Sequence, residues 1–545
     1  MKNSPARLAV LLSVLLTAAC LWSRPPIPID ETRYLAVAWE MRHTGEYVVP
    51  HLNGEVYSHK PPLLFWLING VWSVTGVEAW SARLVGPLLG ILSIVLTTAL
   101  ARRLWPAIPE RAEIAALIVC STSLWMIFAS MTMFDTLLTV ATLTGLLGWH
   151  IAASGERTKG FSLAGLAIGL GLLAKGPIVL LHLLPVGLAA PLWWPVATAP
   201  RYRTWLLGLA GSVGLGAAIA LAWVIPAVIR GGEAYREAIL WGQTAHRITN
   251  SVDHGRPAWW YVPLVPFLLL PWSWAIGGWR DALSRRADPG VRFCSVWVAA
   301  LFAFLCLISG KQVHYLMPEI PALALLLASG LTCGDAPARR LPLGVIGAAT
   351  ALCGLLVVVR PLLTFLPERI ADPSLASPWW GLPVFLVGVW LAAMPVASAL
   401  SGVRRIAIAA TLNIALIHIG GKSGILDQFD IAPLAREIAR IQAEGGEVLH
   451  SAAYHGEYHF AGRLTRPIPM VHTPQERDRW IRQHPRGWVI EAFHDPSDPI
   501  LARAARSIPY RRDVTREWLA IVPAREFSAE EPRVQSAEAA GDPVR

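Results

Sequence analysis

Residues 84–104 read LVGPLLGILSIVLTTALARRL, and this stretch decides the class of fold. It is apolar until Arg102 and Arg103, and about 20 such residues let a helix cross the hydrocarbon core of a bilayer. Comparable stretches recur along the chain, at 7–22, 113–130, 134–152, 161–174, 177–195, 205–229, 261–279, 293–309, 314–332, 342–366, 379–399 and 406–420. We therefore predict a mostly α-helical, polytopic membrane protein with about 13 transmembrane helices.

The composition excludes a soluble multidomain protein. Of the 545 residues, 54% are hydrophobic and only 15% are charged, and the mean hydropathy is +0.47. Soluble globular proteins carry about 25% charged residues, so this chain lacks the polar groups needed to cover its own surface. The six cysteines lie in or beside apolar stretches without metal-ligand spacing, and we interpret them as packing residues.

The positive charges predict the orientation of the chain in the membrane. Short loops rich in lysine and arginine stay in the cytoplasm. If the N-terminus is cytoplasmic, every inner loop is basic, with Arg102, Arg103, Arg111, Arg157, Lys159, Arg201, Arg203, Arg280, Arg285, Arg286, Arg292, Arg339, Arg340, Arg404 and Arg405. This alternation requires a break at Lys175-Gly176-Pro177, and it predicts that the C-terminal region lies outside, on the face opposite the cytoplasm.

The hydropathy also predicts the domain organisation. We expect a transmembrane domain at 1–426 with periplasmic loops at 25–83 and 230–260, a soluble periplasmic α/β domain at 427–526 and a disordered tail at 527–545. Within the first loop, the amphipathic stretch from Tyr34 to Met41 is predicted to lie along the membrane surface. The soluble domain is predicted from helices near 431–443 and 474–483 and strands near 447–451 and 488–492.

Several catalytic signatures are missing from the sequence. Gly421-Lys422-Ser423 resembles the end of a phosphate-binding loop, but Leu416 stands where the first glycine is needed. There is no HExxH, no GxSxG and no Asp-x-Asp of the kind that holds a nucleotide-sugar metal. We therefore predict no nucleotide cofactor and no nucleic-acid partner. A divalent metal is neither required nor supported by these residues.

Ionisable residues collect on the predicted periplasmic face. They are Asp30, Glu31, Arg33, His59, Lys60, Asp135, Lys175, His246, Arg247 and Lys311. A charge at the membrane costs about 2.5–3.5 kcal/mol at a helix centre, so such residues usually pair or line a polar cavity. Simpler interpretations exist for three of them. Asp135 could be a helix cap, Arg33 could snorkel to the interface, and a turn residue near the headgroups is the preferred interpretation of Lys175.

Four segments resemble a known family. They are Asp30-Glu31-Thr32-Arg33-Tyr34, the run from Leu52 to Leu63 that contains His59-Lys60-Pro61-Pro62, Met133-Phe134-Asp135, and the run from Ser309 to Pro318. Together they resemble the polyprenyl-phosphate-sugar-dependent glycosyltransferases of the GT-C class. The similarity is to the bacterial lipid A aminoarabinose transferase and protein O-mannosyltransferase-like family, glycosyltransferase family 39/83 type. The match in order and loop placement runs from residue 1 to about 420.

The resemblance implies an activity and a set of site residues. The transmembrane domain would move one sugar from an undecaprenyl phosphate carrier, with inversion at the anomeric carbon, in a cavity open to the periplasm. By matching position, Asp30 and Asp135 would be the catalytic acidic residues. The donor phosphate would be bound by Arg33, Lys60, Arg247 and Tyr315, and Glu31, Tyr34, His59 and Lys311 would line the cavity. One departure is His59, since the lipid A branch has glutamate there, which puts in doubt both a metal site and the aminoarabinose assignment.

Physical chemistry agrees with these implied roles. A lipid-phosphate leaving group gains negative charge as the glycosidic bond breaks, and cations held in a water-poor cavity stabilise that charge strongly. A hydroxyl acceptor would need a base, for which Asp30 is the candidate, whereas a phosphate acceptor would need none. The acceptor is open among lipid A, another envelope glycan and a protein. The alternative function is a multi-span transporter or lipid flippase, which usually carries its charges at the bilayer midplane.

Overall fold

The computed structural model describes residues 6–194, 201–239, 255–333, 341–362, 377–422, 424–510 and 517–528. The chain divides into two compact units. The first contains residues 1–51 and 55–427, and the second contains residues 52–54 and 428–545. His246 and Arg247, together with Arg339, Arg340 and most of the predicted C-terminal tail, lie outside the described residues.

The first unit is built almost entirely of helices. Up to residue 239 they are α1 Arg7–Ser23, α2 Asp30–Thr44, α3 Leu63–Thr75, α4 Ala79–Arg83, α5 Val85–Leu104, α6 Glu110–Ser121, α7 Ser123–Phe128, α8 Phe134–Ala153, α9 Arg157–Lys175, α10 Ile178–Leu188, α11 Ala190–Trp193 and α12 Tyr202–Glu237. A hairpin of β1 His51–Leu52 and β2 Glu55–Val56 precedes α3. Later helices are Val265–Leu268, Ile276–Ser284, Pro289–Leu307, Ile320–Leu331, Leu343–Val359, Gly381–Ala393 and Ala399–Gly421. Shorter 3₁₀ turns lie at Ala258–Tyr261, Trp272–Trp274, Val313–Glu319, Arg360–Leu362 and Pro378–Trp380.

Seven helices in the described part of the chain are long and apolar enough to cross a membrane. They are Ala79–Leu104, Phe134–Ala153, Tyr202–Glu233, Pro289–Leu307, Val313–Leu331, Leu343–Leu362 and Ala399–Gly421. Shorter apolar helices lie at other predicted spans, including Arg7–Ser23 and Ile178–Leu188. The break predicted at Lys175-Gly176-Pro177 is present, because α9 ends at Lys175 and α10 begins at Ile178. The total of 13 spans and the orientation of the termini stay predictions.

One predicted span is not a continuous helix. Residues 261–279 form short helical turns, which Val265–Leu268 and Trp272–Trp274 exemplify. Pro263, Pro266 and Pro271 cause this, since each lacks the N–H that a continuous helix needs at that position. Other groups of the protein donate hydrogen bonds to the carbonyl oxygens that have no helical N–H partner. Both the N–H and the hydroxyl of Ser123, for example, donate to the Leu270 carbonyl oxygen, at 2.8 and 2.9 Å.

The predicted surface helix in the first loop has its apolar side buried within the protein. α2 runs from Asp30 to Thr44, and its apolar residues from Tyr34 to Ala38 are all buried, as is Met41. α2 packs on α3, where Asn69 donates a 3.0 Å hydrogen bond to the Ala38 carbonyl oxygen. The amphipathic pattern of α2 thus finds its apolar partner in α3, and the position of α2 along the membrane surface stays a prediction.

The second unit is a small mixed α/β fold. Its sheet has the order β3-β4-β6-β5, from the strands Val448–His450, Trp488–Phe493, Glu517–Pro523 and Arg506–Tyr510 in that spatial order. The first pair is parallel and the other two are antiparallel. Helices Ala432–Ala443, Glu457–Gly462 and Pro474–Gln483 accompany the sheet, and a short helix follows it at Arg525–Ser528. β5 and β6 have no counterpart among the predicted strands.

Residues 52–54 belong to this second unit through a pair of hydrogen bonds. The amide of Asn53 donates to the Ile468 carbonyl oxygen at 2.9 Å and accepts from the Ile468 N–H at 2.8 Å. Asn53 has a positive φ of 59°, a backbone conformation that asparagine tolerates better than most residues. The Asn53 side chain therefore bonds to residue 468 as a neighbouring strand would.

Candidate active site

The first predicted acidic residue lies at the start of α2. Asp30, Arg33 and Tyr34 occupy positions i, i+3 and i+4, which share one face of a helix. Arg33 Nη2 lies 2.5 Å from Asp30 Oδ1, and the Tyr34 hydroxyl donates to the same oxygen at 3.2 Å. The Asp30 side chain is 39% exposed, so the pairing still leaves its carboxylate open to a substrate.

The second acidic residue has two basic partners from distant parts of the chain. Asp135 is in the first turn of α8, and its side chain is 2% exposed. Lys175, the last residue of α9, places its ammonium 2.6 Å from Asp135 Oδ1. His314, in the turn Val313–Glu319, places Nε2 3.8 Å from Oδ2. The turn-residue interpretation of Lys175 was therefore wrong, and Asp135 is an ion-paired carboxylate and more than a helix cap.

Aromatic rings join the two acidic centres. The Tyr34 ring meets the Phe134 ring edge to face, with centroids 4.9 Å apart, and Phe65 packs against both rings. Because Phe134 directly precedes Asp135, this aromatic wall connects the first turn of α2, which carries Asp30, with the first turn of α8, which carries Asp135. Lys60 Nζ lies 5.9 Å from the Phe134 ring centroid and interacts electrostatically with Asp135.

The cluster carries a net positive charge. Asp30 and Asp135 supply two negative charges, and Arg33, Lys60 and Lys175 supply three positive ones. Tyr315 extends the wall on the side of Lys175, whose ammonium lies 4.4 Å from the centre of the Tyr315 ring. The half-buried site can therefore neutralise one further negative charge, which is the property that an anionic ligand requires.

Two predicted cavity residues are structural. Glu31 is completely buried and paired with Arg24, whose Nη1 lies 2.6 Å from Glu31 Oε2. Lys311 is also buried, and its ammonium donates to the backbone carbonyls of Ile308 and Arg256. The Lys311 ammonium is thus bound to backbone groups of two segments of the chain.

The remaining predicted residues divide into three groups. Asp30, Arg33, Tyr34, Lys60, Asp135 and Tyr315 come together in the cluster. His59 is exposed and lies beside Tyr57, with ring centroids 5.2 Å apart. Arg247 lies outside the described residues. Among the described residues, no three histidine, cysteine, aspartate or glutamate side chains lie close enough together to hold a metal ion.

Sequence reasoning missed the roles of Lys175, His314 and Arg24. A lysine beside Gly-Pro signals a turn, and nothing in the local sequence connects residue 175 with residue 135. His314 lies within a segment that carries the family resemblance, so its position was visible although its partner was not. Arg24 ends an apolar helix, where arginine normally indicates a membrane boundary.

Gly86 packs closely against the backbone of residues 131–132, which leads into α8. A Cβ atom at this position would lie 2.0 Å from the Met131 carbonyl oxygen and 3.1 Å from Thr132 Cα. We therefore expect Gly86→Ala to displace residues 131–132 and to lower both activity and thermal stability, whereas Gly70→Ala, with nothing within 4 Å, changes neither. Thermal unfolding and turnover of the purified variants check this. A fully active, wild-type-stable Gly86→Ala protein would show that the close approach is unimportant.

Comparison with known proteins adds a second line of evidence. Residues 59–229 match the family described as dolichyl-phosphate-mannose-protein mannosyltransferase. An undecaprenyl phosphate-α-4-amino-4-deoxy-L-arabinose arabinosyl transferase 2 of Pseudomonas fluorescens is 29% identical over 357 residues, covering 64% of this chain and 63% of the relative. A Pseudomonas aeruginosa arabinosyl transferase of the same description is 33% identical over 324 residues, covering 58% and 56%.

The fold agrees with these sequence matches. The structure of ArnT from Cupriavidus metallidurans bound to undecaprenyl phosphate superimposes with a TM-score of 0.73, covering 94% of this chain and 97% of that one at 20% identity. The chain is thus similar in sequence to these transferases and shares the fold of that structure. The resemblance predicted from four short segments is thus confirmed. The matched regions of this chain span about three fifths of the length of the two curated relatives.

Proposed function

We propose that this protein moves a single sugar from a polyprenyl phosphate carrier to an acceptor on the periplasmic face of the bacterial inner membrane. The observation that carries the proposal is the half-buried cluster of two acidic and three basic side chains, with its excess of one positive charge. Such a cluster suits a donor whose leaving group is an anionic lipid phosphate. Undecaprenyl phosphate is the carrier named for the curated relatives and is bound in the structure with the same fold.

The cations would act on the leaving phosphate. The Lys60 ammonium lies over the Phe134 ring and the Lys175 ammonium lies over the Tyr315 ring, and both would offset the charge that appears as the glycosidic bond breaks. Arg33 would donate hydrogen bonds to Asp30 and to the phosphate at the same time, since its guanidinium carries five N–H donors. Arg247 is assigned to the same phosphate by family resemblance alone.

The two carboxylates would have different roles. Asp30 is 39% exposed and can reach a substrate, whereas Asp135 is 2% exposed and has both oxygens facing basic side chains. With a hydroxyl acceptor, Asp30 would take the hydroxyl proton as the oxygen attacks the anomeric carbon opposite the leaving phosphate, which inverts that centre. With a phosphate acceptor no base is needed, and Asp30 would position the sugar.

The relatives and the family resemblance provide the first candidates for the sugar and the acceptor. Aminoarabinose is the first candidate for the sugar, because it is the group named for the curated relatives. Lipid A is the first candidate for the acceptor because the family resemblance points to it. His59 replaces the glutamate of the lipid A branch, so another sugar, another envelope glycan or a protein acceptor forms the second group of candidates.

The proposal is tested by mass spectrometry of lipid A, other envelope glycans and periplasmic proteins from cells that express the intact chain, Lys60→Ala or Lys159→Ala. Lys159 is the matched control, an exposed lysine whose ammonium lies 3.0 Å from the Glu156 carboxylate. We expect a mass increment of one sugar on a single acceptor with the intact chain and with Lys159→Ala. Lys60→Ala should lose most of it, because a lost charged contact of about 1.5–3 kcal/mol weakens donor binding roughly 10- to 150-fold.

A negative result has a defined meaning. If no fraction gains a sugar, although the protein is present in the membrane and polyprenyl-phosphate sugars are supplied, the proposed transfer is wrong. Transport or flipping of a lipid would then account for the charged cluster. If Lys60→Ala transfers as well as the intact chain, transfer stands but the assigned phosphate contact does not.

A further inference from the structure

Glu31 follows Asp30 directly in α2 but points away from the open site. Consecutive residues on a helix are about 100° apart, so they face different surroundings. The Asp30 side chain is 39% exposed and the Glu31 side chain is fully buried. A second acidic residue next to the proposed catalytic one is therefore placed inside the protein, where it cannot touch a substrate.

The Glu31 carboxylate connects α2 to the chain just before α8. Its Oε1 accepts a 2.9 Å hydrogen bond from the Thr132 N–H, and its Oε2 accepts from Arg24 Nη1 at 2.6 Å and the Ile27 N–H at 3.0 Å. Arg24 adds a parallel connection, because its Nη2 donates to the Ser130 carbonyl oxygen at 2.6 Å. Two links thus run from the residues around Asp30 to the backbone three to five residues before Asp135.

The charge state of Glu31 suits this connecting role. Burial alone would raise the pKa of the Glu31 carboxyl, but the positive charges of Arg24 and Arg83 and the two backbone N–H donors hold that pKa below its usual range. The ionised carboxylate accepts all three of these hydrogen bonds.

A contribution to stability does not by itself explain why the Glu31–Arg24 ion pair is buried here. Buried ion pairs can often be replaced by apolar residues with little loss of stability, because removing the charges from water costs about as much as their attraction returns. The links instead join two backbone segments, each of which carries one of the two site carboxylates. Their effect is geometric, since they fix how far Asp30 lies from Asp135.

We propose that Glu31 is a positioning residue that, together with Arg24, sets the spacing between Asp30 and Asp135 in the transfer site. This inference rests on the proposed sugar transfer and deepens it. Glu31 acts through the backbone of residues 130–132 and makes no contact with donor or acceptor. The prediction that Glu31 lines the cavity is replaced by this role.

The experiment measures kcat, donor KM and thermal unfolding of the purified full-length protein with a polyprenyl-phosphate sugar. Glu31→Asp keeps the charge and shortens the side chain by one methylene, so it separates spacing from charge. We expect its kcat to fall by about 10- to 100-fold, because a displacement of roughly 1 Å in a catalytic site can cost about 100-fold, with donor KM within about twofold of wild type. Glu55→Gln is the control, an exposed glutamate of the same loop, and should match wild type.

Arg24→Lys gives an independent answer if Glu31→Asp does not accumulate. Lysine keeps the positive charge but has one nitrogen in place of the two that reach Glu31 and Ser130. A positioning role predicts a lower kcat with unchanged donor KM in this variant too. A role in charge neutralisation alone predicts wild-type kinetics, and that result would overturn the proposal.

The other outcomes are also informative. A raised donor KM with unchanged kcat in Glu31→Asp would mean that Glu31 contacts the donor, which contradicts the inference while leaving the proposed function in place. If the wild-type protein transfers no sugar from any polyprenyl phosphate donor, the proposed function fails and the positioning role falls with it.

Discussion

Asp30→Asn is expected to lower kcat for transfer to a hydroxyl acceptor by about 100- to 10,000-fold, the usual contribution of a general base. Asparagine keeps the size of the side chain and an oxygen for the Tyr34 hydroxyl, but it cannot take a proton and no longer pairs with the Arg33 guanidinium. The measurement is turnover of purified protein at saturating donor. Tyr34, Phe134 and Phe65 pack the same way in this variant, so thermal stability should change little.

Asp281→Asn is the matched control for this change. Asp281 is also partly exposed and lies next to an arginine, with Arg280 Nε 3.9 Å from its Oδ1, but it lies in a predicted cytoplasmic loop. It should leave turnover unchanged. If Asp30→Asn retains wild-type kcat and raises only the acceptor KM, then Asp30 binds the acceptor and is not the base.

Asp135→Asn should be the most destabilising change in the site. It leaves the Lys175 ammonium, 10% exposed, without its counter-charge, and breaking a buried pair costs about 3–5 kcal/mol. Thermal unfolding of the detergent-solubilised protein measures the loss. The double variant Asp135→Asn/Lys175→Gln removes both charges, so we expect it to regain most of the stability but none of the activity.

The exposed pair Glu156 and Lys159 provides the control for the double variant. Their side chains are 49% and 64% exposed, and neutralising both should have no measurable effect on stability or turnover. Recovery of activity by Asp135→Asn/Lys175→Gln would show that these charges serve only the fold. A single Asp135→Asn variant as stable as wild type would show that the Asp135–Lys175 ion pair does not contribute to the stability of the protein.

The class of fold and half of the site were predictable from sequence for different physical reasons. Apolar length alone specifies a membrane helix, so the chain could be recognised as polytopic without knowledge of its packing. Asp30, Arg33 and Tyr34 are also local, since helical spacing places all three on one face. The sequence could not show that Lys175 and His314 converge on Asp135, because helix packing creates those contacts between residues 40 and 179 positions apart.

The errors have a common origin in tertiary context. The amphipathic pattern of α2 predicted a helix along the membrane surface, but it did not reveal that the apolar residues pack against α3. Glu31 and Lys311 looked like cavity residues because they stand beside Asp30 and before Tyr315. Each side chain is instead turned onto backbone groups of a neighbouring segment. A charged residue next to a site in sequence can thus belong to the framework of that site.

The proline-broken segment at 261–279 has a consequence for how the protein is made. A regular helix enters a bilayer with its backbone hydrogen bonds already complete, but this segment depends on groups elsewhere in the chain, such as Ser123 for Leu270. The Tyr261 hydroxyl in turn donates to the Gln312 carbonyl oxygen, 51 residues downstream. The ribosome must therefore have synthesised residue 312 before the segment can take its final shape, so the segment cannot complete its fold while it is itself being inserted.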